Sequence, residues 1–166
     1  MSSQEAKLRD ALQFACETSR SILDAKFLCQ SIGSLNPASP MVVSLTTPLL
    51  EVRELLSAGK SGAVLVIDAS ERLTGIFTER DLVQKCAPHD QSIWSRPIEE
   101  LMTRDPVAEP PETSVAYALN LMSVGGFRHL PIIDDDKRPV GIFSVKDLID
   151  SIVAAYTDSL LSAEIP

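Results

Sequence analysis

The strongest hydrophobic signal in the chain is Ala63-Val64-Leu65-Val66-Ile67, apolar at every position, the pattern of a strand covered on both faces. Ahead of it, Leu49, Val52, Leu55 and Leu56 recur at helical spacing. They predict a helix over 48–58, opened by Pro48 in its first turn and stopped by Gly59. Val42-Val43-Ser44-Leu45 reads as a short strand before that helix. Beyond the apolar run, residues 68–72 are polar turn material. The strand pattern then returns over 73–77, and Thr78 opens a further helix.

The same pattern is written a second time. Gly75-Ile76-Phe77-Thr78-Glu79-Arg80-Asp81-Leu82 recurs 66 residues later as Gly141-Ile142-Phe143-Ser144-Val145-Lys146-Asp147-Leu148. Without a gap, that offset also carries Pro40 onto Pro106, Leu55 onto Leu121, Gly59 onto Gly125 and Ile67-Asp68 onto Ile133-Asp134. It reaches back to match Ile32 and Leu35 with Ile98 and Leu101. In the second copy, strands are predicted over 106–109, 129–133 and 139–143, and helices over 114–124 and 144–156. Two β-α-β-β-α units result, at 32–86 and 98–156, in an α/β (α+β) fold. Two copies are too few for a solenoid. Two helices cannot cover the apolar strands of one unit, so the copies are expected to pack sheet to sheet or face to face, with pseudo-twofold symmetry.

Residues 1–31 precede the first unit and predict a long N-terminal helix over about 4–31. Ser2 and Glu5 have capping-box spacing, and Gly33 ends the run. At about 1.5 Å per residue this helix would span roughly 40 Å. Leu8, Leu12, Ala15, Ile22, Leu23 and Phe27 form one apolar stripe, which suits packing on the same chain and a dimer contact equally. A linker at 87–97 joins the units, and a tail at 157–166 follows them. In the linker, His89 reads as a solvated side chain and Trp94 as a packing anchor.

Composition removes several function classes. The 166 residues are 45% hydrophobic and 23% charged, as in soluble globular domains. Fifteen Lys and Arg against 23 Asp and Glu give a net charge of −8, a field that repels nucleic acid. The longest charge-free stretch, 27–50, is interrupted by Pro37, Pro40 and Pro48 and is no membrane span. The N-terminus MSSQEAKLRD lacks the features of an export signal, so a cytoplasmic protein is expected. Cys16, Cys29 and Cys86 are too widely spaced for a disulfide framework or a zinc site, and read as small half-buried thiols in a reducing compartment. The chain has two histidines, His89 and His129, and no HExxH, GxSxG, Walker A or GxGxxG motif. A non-enzyme without metal or catalytic cofactor is expected.

The duplicated Gly-Ile-Phe-Thr/Ser-x-basic-Asp segments, Arg128-His129-Leu130-Pro131-Ile132-Ile133-Asp134, and Ile98-Glu99-Glu100-Leu101-Met102-Thr103 carry a family resemblance. Over 32–156 the chain resembles a tandem cystathionine-beta-synthase (CBS) domain pair, or Bateman module, of the stand-alone bacterial type. The resemblance implies a regulatory module that binds adenine nucleotides in clefts between its copies and dimerises into a flat disc.

The motif places a hydroxyl and a carboxylate at the start of a helix, where unpaired N–H groups and a partial positive charge favour phosphate. Arg80 or Lys146 adds a full charge beside it. Asp81 and Asp147 are the expected ribose ligands, since a carboxylate accepts hydrogen bonds from ribose hydroxyls. Thr78 and Ser144 are the expected hydroxyl contacts to phosphate or sugar. Thr78-x-x-Asp81 and Ser144-x-x-Asp147 also have capping-box spacing, and capping is compatible with binding. Carried over from the family, one cleft would combine Thr78, Arg80 and Asp81 with Val107, Phe127, Arg128 and His129, Phe127 covering the base. The other would combine Ser144, Lys146 and Asp147 with Val42, Ser61, Gly62 and Ala63. The first, richer in positive charge, is the expected phosphate site. His129 is read equally as a satisfied core residue and as a phosphate contact. Asp134-Asp135-Asp136 lacks the spacing of a calcium loop and reads as turn chemistry.

The leading expectation is therefore a non-catalytic sensor of AMP, ADP or ATP whose occupancy changes the relation between its two halves or between the protomers of a homodimer, with the output passed to a separate protein partner. A ligand-independent dimerisation or interaction scaffold is the first rival. S-adenosylmethionine or NAD is the alternative ligand, and a nucleotide-processing enzyme comes last.

Overall fold

The computed structural model of the chain describes residues 25–59, 62–86 and 91–162. The first described element, α1 (Ala25–Leu28), ends before Ser31. Past it, Ser31 Oγ accepts the Ser34 N–H at 3.3 Å and caps a 3-10 turn at Ile32–Leu35. Gly33 lies within that turn and donates its N–H to the Pro111 carbonyl at 2.9 Å. A Cβ on Gly33 would stand 2.9 Å from the Pro111 Cβ. The earlier turns of the expected helix, with the stripe from Leu8 to Leu23, lie outside the described residues, as do Cys16 and His89. Cys86 is half-buried as expected, whereas Cys29, just past the end of α1, is exposed; both are free thiols.

The first repeat runs β1 (Val42–Ser44), α2 (Leu49–Ala58), β2 (Ala63–Ile67), β3 (Leu73–Thr78) and α3 (Glu79–Lys85). The second runs β4 (Thr103–Arg104), α4 (Val115–Gly125), β5 (His129–Ile133), β6 (Pro139–Ser144) and α5 (Val145–Ser162). The strand expected over 106–109 is reduced to a single parallel bridge between Glu109 and Ile132. Pro106 and Pro110 have no N–H to give a ladder, and Asp105, at φ 47°, turns the chain just before them. Helix α5 passes the expected end at 156 because no Gly or Pro interrupts it before Pro166, so the segment read as a tail is helical as far as Ser162.

The sheets show how the repeats are joined. Strands β1, β2, β3 and β4 form one sheet in that order, β1 parallel to β2 and the other pairs antiparallel. Strands β5 and β6 pair antiparallel, extended by the Glu109–Ile132 bridge on one side and an Ala38–Ile142 bridge on the other. The Glu109–Ile132 bridge repeats the Val43–Val66 pairing of the first copy at the 66-residue offset. Each copy also lends its leading segment to the other: β4 borders β3, and Ala38 borders β6. The two β-turns match as well. Asp68 Oδ1 accepts the Ser70 and Arg72 N–H groups, and Asp134 Oδ1 accepts those of Asp136 and Arg138. The Asp134-Asp135-Asp136 run is thus turn chemistry, closed by Lys137 at φ 65° as Glu71 closes its counterpart at φ 63°.

Each repeat has its own core, one around Phe77 with Leu49, Val52 and Val66, the other around Phe143 with Ile32, Val115 and Leu130. A third cluster, Ala63, Leu65, Ile76 and Ile142, seals the two sheets against each other. The copies therefore pack sheet to sheet. The described part of the linker forms a 3-10 turn (Gln91–Ser95) that buries Ile93 and lays Trp94 on the first core, with the Arg53 guanidinium 4.8 Å from its ring centroid. Among the described residues no helix is long and apolar enough to cross a membrane.

Candidate functional site

The start of α3 is a complete capping box. Thr78 Oγ1 accepts the Asp81 N–H at 3.3 Å, and Asp81 Oδ2 accepts the Thr78 N–H at 2.9 Å and its hydroxyl at 2.7 Å. The cap fixes the carboxylate in place and leaves Oδ1 to Lys85, whose Nζ lies 2.8 Å away and also donates to the Leu101 carbonyl. Burial pushes the Asp81 carboxyl upward, but the hydrogen bonds from Lys85 and from the Thr78 hydroxyl and N–H, with the Lys85 charge, outweigh it. The group is held below its ordinary value and is ionised at neutral pH. At α5 the arrangement recurs: Asp147 Oδ2 accepts the Ser144 N–H and hydroxyl, both at 2.7 Å, and Ser144 Oγ accepts the Asp147 N–H at 3.3 Å.

Beside the α3 start lies a cleft of about 340 Å³, large enough for a small ligand. Its near wall carries Thr78, Arg80 and Asp81; its far wall, from the second repeat, carries Val107, Phe127, Arg128 and His129. Every residue assigned to the first cleft from sequence is present. Arg80 bridges the walls, Nη1 donating to the Gly126 carbonyl at 2.9 Å. Gly126 adopts φ 69° to end α4, turning the chain so that the Phe127 ring lies against Gly125.

A second cleft, of about 600 Å³, opens beside the α5 start and holds Ser144, Lys146, Asp147 and Gly62. Ser61 lies outside the described residues. The structure does not bring Val42 or Ala63 into this lining. Val42 stands at the outer end of β1, and the 66-residue offset matches Val107 with Met41 instead. Ala63 is fully buried between the sheets.

A family model of the CBS domain matches the chain twice, at residues 32–87 and 98–154. The chain belongs to the CBS-domain family. This CBS pair is 34% identical over 130 residues to an uncharacterized 17.7 kDa protein of Acidianus ambivalens, covering 78% of this chain and 77% of that one. The chain spans only 22–23% of three longer curated relatives. The fold matches the CBS domain pair of MJ0100 in complex with 5'-methylthioadenosine and S-adenosyl-L-methionine, at TM-score 0.67 and 21% identity over 76% of this chain and 98% of that one. It matches CBSX2 in complex with AMP at TM-score 0.64 and 23% identity over 75% and 97%.

In this CBS pair the sequence reading missed part of the lining. Ile76, Thr103, Asp105 and Pro106 also line the first cleft, and Glu79 lines both. An acidic residue in the first turn of a helix reads as a complement to the helix dipole, which hides Glu79 from a sequence search. Asp105 follows the two-residue strand β4, which has no periodicity to mark it. Gly62 is needed where it stands. It adopts φ 65°, and a Cβ there would lie 3.4 Å from Glu79 Oε2 and 3.5 Å from His129 Nε2. Gly62 also accepts the Glu79 N–H through its carbonyl at 3.1 Å, as Arg128 accepts that of Val145 at 3.2 Å, so the pseudo-twofold relation holds at the backbone while the side chains differ.

Proposed function

We propose that this CBS pair is a non-catalytic regulatory module that binds an adenine nucleotide, AMP, ADP or ATP, in the first cleft. The carrying observation is the convergence of two helix-cap residues and two arginines from different repeats on one cleft. Asp81 accepts the ribose hydroxyls, Thr78 contacts sugar or phosphate, Arg80 and Arg128 grip phosphate and Phe127 covers the base. The cap holds Asp81 ionised and oriented before the ligand arrives, so little ordering is needed on binding. The AMP in CBSX2 supports this ligand class. Occupancy changes the relation between the repeats, and a separate cytoplasmic partner reads the change. A homodimer fits Val83 on α3 and Ile149 on α5, which occupy equivalent positions and are 82% and 53% exposed.

A second reading has its own support. Glu79, Asp81 and Asp105 set three carboxylates against Arg80 and Arg128 in this cleft, a balance that favours a cationic adenosine derivative. S-adenosyl-L-methionine, present in the MJ0100 complex, is of that kind. Calorimetric titration with AMP, ADP, ATP and S-adenosylmethionine decides between them. Micromolar binding of a nucleotide, lost in Arg80→Gln, carries the first reading; binding of S-adenosylmethionine alone carries the second. No heat with any of them, from folded and ligand-free protein, leaves the motif as a pair of helix caps and the chain as a dimerisation scaffold.

A further inference from the structure

The two clefts share a wall. Arg128, His129, Glu79 and Gly62 line both. Apart from that wall, among the described residues each cleft has one basic side chain: Arg80 in the first, engaged by the Gly126 carbonyl, and Lys146 in the second, engaged by Asp150. Each cleft also has its own hydroxyl–carboxylate pair. The seats for a sugar are thus duplicated, whereas much of the positive charge that would hold a phosphate is common property.

We propose that the shared wall couples the clefts negatively: both can seat a nucleoside, but the phosphates of two nucleotides compete for Arg128 and His129. This rests on the nucleotide reading above and adds its regulation. The first nucleotide draws Arg128 toward its phosphate. The second meets a wall already neutralised, the Glu79 carboxylate, and the charge of the first phosphate. Coupling of this kind is reciprocal, so it holds whichever cleft fills first, and factors of about 5 to 150 are usual. The CBS pair then responds to nucleotide over a wider concentration range than one site or two independent sites would give.

The test is equilibrium titration of the full chain with AMP and with adenosine, which lacks the phosphate. AMP is expected to bind in two steps, the second at least about fivefold weaker, and adenosine to fill both clefts without that separation. Arg128→Gln, at an exposed position, weakens the first AMP step most and narrows the gap. Unequal but independent clefts are distinguished by Asp81→Ala, which empties the first seat, and Asp147→Ala, which empties the second, with Asp81→Asn as the version that keeps an acceptor for the cap. Under coupling, the cleft left by Asp81→Ala and the cleft left by Asp147→Ala both bind AMP more tightly than the second step of the parent chain, whereas independent clefts return that step in one of the two variants. An unchanged affinity in either variant overturns the proposal. So do two equal AMP steps, the same separation with adenosine, or a single site for both ligands; in each case nucleotide binding itself stands. Absence of binding by either ligand removes the nucleotide reading and the coupling with it.

Discussion

The start of α3 in the first repeat and the start of α5 in the second are the same device in different surroundings. Both hold an aspartate carboxylate on the N–H and hydroxyl of the residue three positions earlier, at 2.7–2.9 Å. Around Asp81, Lys85 closes on the free oxygen and Arg80 crosses to the other repeat. Around Asp147, Ser151 turns away to the Asp147 backbone carbonyl, and Lys146 pairs along its own helix with Asp150. The cap is therefore what the duplicated segment specifies by itself. How the charges beside it pair is set by residues outside the segment: Lys85 and Gly126 around Asp81, against Asp150 and Ser151 around Asp147. A motif read alone gives the scaffold of a site, and its neighbours decide what the site can hold.

The repeats differ most in their strands. Gly75 and Gly141 are equivalent, yet a Cβ on Gly75 would stand 2.2 Å from Met102 Sδ, and one on Gly141 would have Ile132 Cδ1 as its nearest neighbour at 3.4 Å. Met102 is buried in the first core, so Gly75→Ala forces it to repack and is expected to cost about 1–3 kcal/mol. Gly141→Ala restricts the unfolded chain without a severe clash and is expected to change stability by less than about 1 kcal/mol. Urea denaturation of both variants measures the difference, and equal losses would mean the repeats are packed alike.

A smaller effect separates the two caps. Asp81→Ala removes the cap acceptor and the Lys85 partner together, an expected loss of about 1–2 kcal/mol, against about 1 kcal/mol for Asp147→Ala. Because the folded-state value of Asp81 lies below its unfolded one, its contribution is complete above the unfolded value, about pH 4. It is lost as the pH falls through the folded value. The stability gap between the parent chain and Asp81→Ala should therefore shrink on acidification from pH 5 toward pH 3. A gap that stays constant would show that the cap charge adds nothing.

How far the sequence could see follows from the same physics. Elements that carry their own pattern, such as the five-residue run of β2 or the helical stripe of α2, are legible because burial imposes the period on them. Both halves of the first cleft are legible too, since one is a repeated motif and the other opens a strand. The exchanged edges are not. Strand β4 has two residues, and Ala38 makes one bridge; both are specified by the free edge of the other repeat, and a single segment does not record its partner. The second cleft is less legible for a related reason. Its wall is Arg128 and His129, borrowed from the first cleft, in place of Val42 and Ala63, and nothing in a segment announces that it serves two sites. The Lys85–Asp81 pair, by contrast, had a signal in its i,i+4 spacing.

The smallest predicted effect tests whether the difference in charge is structural or only available for ligands. Lys85 is 34% exposed, sits between Asp81 and the Leu101 carbonyl and lies 6.0 Å from the Phe77 ring centroid, so it ties α3 to the first core. Lys85→Gln is expected to cost up to about 1 kcal/mol, the upper range for a pair near the surface. Lys146 is 71% exposed, and its contact with Asp150 lies entirely on one helix face, which raises its affinity for the proton but ties no elements together. Lys146→Gln is expected to leave the denaturation midpoint unchanged at any salt concentration. A midpoint that drops, and drops less at high salt, would give the second repeat a charge network of its own and make the two helix starts more alike than their contacts indicate.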